Sequence, residues 1–246
     1  MIFGHYINDL HILRTKFRLN KGINPEQNWI DNPQGLAGAD FQDWFDSSAS
    51  EEDSIKQARK DFEQRILVDQ SDLIFKNSCE VGFGGGRLLL QASSHFENAY
   101  GIDIHGNFKQ TDNFLKKNGA NNCHLTHFKD KDTLPQIDFF YSFIVIQHFK
   151  NIKVLEDYLN LIYEKLSPNG VAVLWYGKLS TPFWGNFYEV PTSNFRRREC
   201  SLYIRPKFME ELCSNFQIVQ NLTKHPRNVD ENSGQSMQAK IVLKKK

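Results

Sequence analysis

The stretch Cys79-Glu80-Val81-Gly82-Phe83-Gly84-Gly85-Gly86-Arg87 decides how this chain is read. It closes a short apolar run, NSCEVGF, and opens a helical pattern, GGRLLLQASSHF. Glycine permits a sharp turn there and lets a ligand approach the backbone without meeting a Cβ. The start of the helix adds N–H groups that lack partners within the helix. A strand-to-helix turn of this kind is where an open α/β sheet binds its ligand. The plainer alternative is a structural turn, but glycines packed this densely weaken a fold unless something must come close to them.

Working outward, Gly101-Ile102-Asp103-Ile104 ends the next strand candidate, NAYGIDIH, and puts a carboxylate seventeen residues beyond Gly86. A carboxylate at the tip of that strand can accept hydrogen bonds from the two hydroxyls of a ribose. Its plainer role would be to cap the following helix. The helix FKQTDNFLKKNG, stopped at Gly119, and the strand CHLTHF come next. DFFYSFIVIQHF reads as a fourth strand buried on both faces, as in the middle of a parallel sheet. In NIKVLEDYLNLIYEKLSPNG, Val154, Tyr158, Leu161, Ile162 and Leu166 form one helical stripe, stopped by Pro168 and Gly170. VAVLWYG is a fifth strand, a long loop follows, RPKFMEELCSNF is a last helix, and FQIVQNLTKH and MQAKIVLKKK are two closing strands. This alternation predicts a doubly wound α/β sheet.

Residues 1–70 read differently, as a helical and aromatic extension ahead of a domain spanning 71–246. SASEEDSIKQARKDFEQRIL is a capped helix, with Ser48 or Ser50 as N-cap and Glu51, Glu52 and Asp53 in the first turn. Ile55, Ala58, Phe62 and Ile66 form its apolar stripe. Upstream, the aromatics of FQDWF (Phe41, Trp44, Phe45) either dock this segment on the core or form a lid.

Composition narrows the partners. The formal net charge is +1, so no global field draws the chain to nucleic acid or anionic lipid. His5, Asp9, His11, Arg14 and Lys16 interrupt the N-terminal apolar residues, which argues against a secretory signal. No apolar run is long enough to span a bilayer. Cys79, Cys123, Cys200 and Cys213 lack metal-ligand spacing, and the eight histidines are scattered. A cytoplasmic protein with reduced thiols and no resident metal is expected.

Two cofactor classes use such a glycine turn. A dinucleotide requires G-x-G-x-x-G/A, whose last position falls on Arg87. The spacing present is G-x-G-x-G with Glu80 ahead of it. That form resembles the first motif of the class I S-adenosylmethionine-dependent methyltransferases. DFFYSFIVIQHF is similar to the "FDxVxSxxVxxH" strand of the small-molecule branch of that family, and EKLSPNGVAVLW to its "L+PGG" turn, with Asn169 replacing the first glycine. The resemblance runs from Ser78 to about Lys245. It implies a mostly parallel seven-stranded sheet of order 3-2-1-4-5-7-6 with an antiparallel last strand.

By the same resemblance, Glu80, Gly82, Gly84 and Gly86 would border the methionine part of S-adenosyl-L-methionine, and Asp103 would hold the ribose. The adenine region would fall on His127 and Phe128, or on Asp130 and Asp132. Ser142 and Phe143 would lie where the fourth strand passes the transferable methyl. His148, at the end of that strand, is the candidate base, since an ordinary histidine titrates near neutrality. Its alternatives are to cap a helix or to shape the pocket.

The acceptor is narrowed by elimination. The fourth strand lacks an [ND]-P-P-[YFW] ending, no Pro-Cys pair supplies a thiolate, and no acidic cluster suggests a magnesium site. The insertion at about 177–205 is the substrate-side candidate, with Tyr176, Trp184, Arg196 and Arg198 as possible contacts. Guanidinium forks would suit an anionic acceptor, although a solvated basic surface is the blander reading. The expectation is methyl transfer to O or N of a small molecule. A non-catalytic binding subunit and a nicotinamide-dependent oxidoreductase are the rivals.

Overall fold

The computed structural model describes residues 12–13, 24–31, 50–67, 73–106, 108–180, 182–192, 200–223 and 238–246. The chain divides into two units. One comprises Trp29–Tyr141 and Lys165–Ala172, the other Met1–Asn28, Ser142–Glu164 and Val173–Lys246.

In chain order the described elements begin with helices α1 (Pro25–Asp31) and α2 (Glu51–Asp61). Strand β1 (Asn77–Val81), helix α3 (Arg87–Ser93), strand β2 (Asn98–Asp103), helix α4 (Phe108–Lys117), strand β3 (Cys123–His127) and strand β4 (Ile137–Ser142) follow. Then come α5 (Ile152–Lys165), β5 (Leu166–Gly177), β6 (Phe187–Glu189), β7 (Leu202–Ile204), α6 (Pro206–Leu212), β8 (Phe216–Leu222) and β9 (Gln238–Lys245). Seven strands form one sheet in the order β3-β2-β1-β4-β5-β9-β8, while β6 and β7 make a separate ribbon. Leaving the ribbon out, this is the expected order 3-2-1-4-5-7-6. β1 pairs in parallel with β2 and β4, β2 in parallel with β3, and β8 pairs antiparallel with β9.

In the first unit, the helix expected near residue 50 is present, and Ser50 rather than Ser48 caps it. Its Oγ accepts from Asp53 N at 3.1 Å and its N–H donates to Asp53 Oδ2 at 3.2 Å, a reciprocal capping box. The helix widens into a π turn at Phe62–Ile66, and Ala58, Phe62 and Ile66 are fully buried as the stripe required. Phe62 meets Tyr141 of β4 edge-on at 5.3 Å, which anchors the helix on the sheet. Phe41, Trp44 and Phe45 lie outside the described residues. Gly119 takes φ 84 just past α4, the left-handed helix end expected of it.

The second unit corrects one reading. The apolar run Asp138–Phe149 is not a single strand. β4 stops at Ser142, Ile144 takes φ 59, and Ile146–His148 forms a 3-10 turn. A positive φ cannot continue a pleated strand, so His148 lies on a turn beyond β4 rather than at its end. α5 also ends earlier than Pro168. Ser167 precedes a proline and is pushed toward extended backbone, and β5 begins at Leu166.

The insertion after β5, read from sequence as a long loop, contains the β6–β7 ribbon. Leu179, Val190 and Tyr203 pack there with Ile12, and Trp184, Tyr188 and Cys200 lie against them. In the β8–β9 pair the register slips between Ile218 and Gln220, leaving Val219 as an extra residue, 53% exposed. Cys79 and Cys213 are buried thiols outside any disulfide.

Candidate cofactor-binding site

The site is built in the first unit, where β1 and β2 run side by side and Glu80 is opposite Gly101. Gly82 extends the ladder by donating its N–H to Ile102 O at 2.8 Å. From there the chain turns with φ 77 at Gly82, 49 at Gly84 and 83 at Gly86. Only glycine takes such angles repeatedly without strain. The alternate spacing seen in the sequence thus matches three left-handed turns.

Asp103 is brought directly onto this loop. Its Oδ2 accepts from Gly84 N at 2.8 Å, and its Oδ1 accepts from Ile104 N at 2.7 Å and His105 N at 3.4 Å. A carboxylate offers about four lone-pair positions, so Oδ2 keeps room for a further donor. The carbonyl of Gly84 is held from the other side by Thr111 Oγ1 at 3.0 Å and His105 Nε2 at 3.1 Å. As the carbonyl can only accept, His105 carries its proton on Nε2. Both ends of one loop residue are therefore fixed by side chains from outside the loop.

Phe83 completes the packing. It meets His105 edge-on at 5.1 Å and Phe108 at 5.2 Å. A Cβ at Gly101 would come within 2.7 Å of the Phe83 ring, so the glycine in Gly101-Ile102-Asp103 makes room for it. His105 and Thr111 were not singled out from the sequence. Their role depends on reaching one carbonyl across the fold, and neither stands in a pattern that announces this.

Glu80 lies beneath the loop, 3% exposed, with Tyr141 Oη donating to its Oε2 at 3.3 Å. Burial pushes its carboxyl up from the ordinary 4.5 to about 8; Arg87 pulls it down and Asp103 adds to the rise. Burial also lowers the Arg87 guanidinium, which Asp61 and Glu80 support. Asp61 is itself buried and accepts from Arg65 at 2.7 Å. The residue that broke the dinucleotide spacing thus belongs to a buried charge group under the turn.

The sign of the Glu80 shift gives a pH dependence. The folded carboxyl keeps its proton to a higher pH than the unfolded one. Its contribution to stability is therefore complete below about 4.5 and is lost as pH rises through about 8. Glu80→Gln is expected to remove that slope, gaining on the wild type by on the order of a few kcal/mol between about pH 5 and about pH 8. Urea unfolding at both pH values measures it, and an equal difference at the two would refute the assignment.

The other candidates are distributed as follows. Phe128 starts the 3-10 turn Phe128–Thr133 just after His127, which is in register with Asp103, and Lys131 Nζ stands 5.5 Å from its ring. In the second unit, Ser142 is fully buried and its Oγ has no hydrogen-bond partner. Phe143 packs edge-on against Trp175 at 5.3 Å. Tyr176 is fully buried and donates its hydroxyl to Asn221 Oδ1 at 3.0 Å, which makes it a core residue. Trp184 stands between Phe183, at 4.8 Å, and Tyr188, at 5.5 Å. Arg196 and Arg198 lie outside the described residues. Among the described residues no cluster of histidine, cysteine or acidic side chains could hold a metal ion, and no helix is long and apolar enough to cross a membrane.

Residues 79–174 match the family model of a methyltransferase domain. The search of curated proteins finds no match. Among solved structures, a Leishmania major S-adenosylmethionine-dependent methyltransferase superposes with a TM-score of 0.60 at 10% identity, over 89% of this chain and 80% of that one. The N-methyltransferase NodS from Bradyrhizobium japonicum, in complex with S-adenosylhomocysteine, gives 0.58 at 13%, over 91% and 99%. An S-adenosylmethionine-dependent methyltransferase from Clostridium acetobutylicum gives 0.57 at 11%, over 83% and 96%. At such identities the likeness is one of fold, and the fold is that of the class I, Rossmann-like methyltransferases.

Proposed function

We propose that this chain, which carries a methyltransferase domain at residues 79–174, transfers a methyl group from S-adenosyl-L-methionine to O or N of a small molecule. The observation that carries the reading is Asp103, a carboxylate at the tip of β2 fastened to Gly84 N with one oxygen still able to accept. That acceptor fits a ribose hydroxyl, which would donate to it. The left-handed glycines leave backbone bare for the methionine part, and Glu80 supports the turn from below. The cofactor supplies a methyl group already activated on a sulfonium. The protein's task is then to orient cofactor and acceptor and to exclude water.

The candidate contacts to the acceptor are His148 and Trp184, and the arginine run through Arg196 and Arg198 suits an anionic molecule. His148→Ala is expected to lower kcat more than it weakens cofactor binding. Undiminished turnover in that variant would remove His148 from the reaction.

A nicotinamide-dependent oxidoreductase is the rival enzyme, and Arg87 at the third glycine position weighs against it. Thermal unfolding separates the two. At ligand about a hundredfold above Kd, S-adenosylmethionine and S-adenosylhomocysteine should each raise Tm by about 5 °C or more, and NAD and NADP should not. Stabilisation by the nicotinamides alone would reject methyl transfer. Binding without turnover against any acceptor would favour a binding subunit.

A further inference from the structure

Among the described residues, the buried charge group under the glycine turn is short of one positive charge. It lies wholly within the first unit. Three of its members are carboxyls, all buried: Asp61 at the end of α2, Glu80 in β1 and Asp103 at the tip of β2. Two are guanidiniums. Arg65 holds Asp61 at 2.7 Å, and Arg87, the first residue of α3, is supported by both Asp61 and Glu80. A charge left uncompensated in an interior is costly enough that the group neutralises instead.

Which carboxyl keeps a proton follows from what surrounds each, because hydrogen bonds to the charged form favour it. Asp103 accepts from three backbone N–H groups, those of Gly84, Ile104 and His105. Asp61 accepts from the Arg65 guanidinium and from Gln57 Nε2 at 3.1 Å. Glu80 has the backbone of Leu89 and the Tyr141 hydroxyl, at 3.3 Å a long partner for an O–H donor. It is the acid least supported as an anion, and burial raises it accordingly. The other titratable groups around it supply no cation. Burial keeps Cys79 in β1, Cys123 in β3 and Tyr141 in β4 uncharged, and His105 faces Asp103, with Nε2 3.7 Å from Oδ2.

We infer that Glu80 is the residue by which the site tells S-adenosylmethionine from S-adenosylhomocysteine, releasing its proton to solvent when the sulfonium binds and keeping it when the thioether does. The two compounds differ by a methyl group and by one positive charge on sulfur. That charge is what three carboxyls and two guanidiniums lack, so Glu80 can ionise beside it. The thioether brings no such charge and is held less well, which favours its departure after transfer. The inference rests on the proposed placement of the methionine part at the glycine turn.

Isothermal titration calorimetry on the full-length protein, in buffers of different ionisation enthalpy, counts the protons released on binding. Glu80 sits at about 8, and a nearby opposite charge lowers a carboxyl by about one unit or more. At about pH 7 the carboxyl should then release roughly 0.4 of a proton or more when S-adenosylmethionine binds. The amine of the ligand can also move a proton, and Glu80→Gln isolates the carboxyl from it. Wild type should exceed that variant by this amount with S-adenosylmethionine, and by much less with S-adenosylhomocysteine. Equal release by the two proteins would place the proton on another group, such as His105, and overturn the inference. An equal excess with both ligands would overturn it too, since the sulfonium would not be the cause. If Glu80→Gln does not fold, infrared difference spectra of the wild type decide. The carbonyl band of a protonated carboxyl should vanish with S-adenosylmethionine and stay with S-adenosylhomocysteine, and a band that stays with both refutes the assignment. Failure of S-adenosylmethionine to bind would reject the methyl-transfer reading and this inference with it; binding without the release rejects the inference alone.

Discussion

Replacing Asp103 with alanine is expected to raise the Kd for S-adenosylmethionine about a hundredfold, as two hydrogen bonds to a charged group are worth roughly 3 kcal/mol together. The effect has two sources. The ribose loses its acceptor, and the N–H of Gly84, now held at 2.8 Å, loses the partner that orients the loop. Isothermal titration calorimetry measures the first. The second should appear as faster amide exchange at Gly84 in the unliganded protein, since an unfastened loop opens more readily. Asp103→Asn separates them further. It keeps one carbonyl oxygen and the shape, so it should bind better than the alanine variant and worse than the wild type. A change of less than about threefold for Asp103→Ala, in a folded protein, would place the ribose elsewhere.

Gly86→Ala is the second large effect, this time on stability. Gly86 takes φ 83, where any other residue pays roughly 1–2 kcal/mol. A Cβ there would also sit 2.8 Å from Thr111 Cγ2, and overpacking of that kind costs about 1–3 kcal/mol. The sum, on the order of 2–5 kcal/mol, should lower Tm by about 4–20 °C in a chain of this size. Thr111 cannot simply swing away, because its hydroxyl is bonded to the Gly84 carbonyl at 3.0 Å. Thr111→Ser removes the obstructing methyl and keeps the hydroxyl. In a double-mutant cycle it should therefore recover the steric part of the loss and leave the conformational part. An additive cycle would show that the contact with Thr111 does not govern the site.

The same two positions show how much could be read from residues alone. The alternation of apolar runs and helical stripes was enough for a doubly wound α/β sheet, whereas the order of its strands was implied only by the family resemblance. Glycine spacing and the acid at the next strand tip were enough for the loop and its partner, because backbone geometry leaves few residue types able to serve there. Misreading began where periodicity stopped being informative. Phe143–Phe149 is as apolar as the strand before it, and nothing in its composition reveals that Ile144 reverses its φ. The β6–β7 ribbon escaped notice because three-residue strands are too short to show alternation. His105 and Thr111 were silent for a different reason. They lie near each other in sequence, but the carbonyl they share belongs to a residue more than twenty positions earlier.

The slipped register at Val219 bears on how copies of this protein treat one another in concentrated solution. Among the described residues β8 ends the sheet, and no described strand neighbours one rim of its backbone. A flat rim of that sort is a template on which a second molecule can zip up. The additional residue between Ile218 and Gln220 sharpens the local twist and puts donors and acceptors out of step with any straight strand laid alongside. An irregular strand of this kind works against pairing between copies edge to edge.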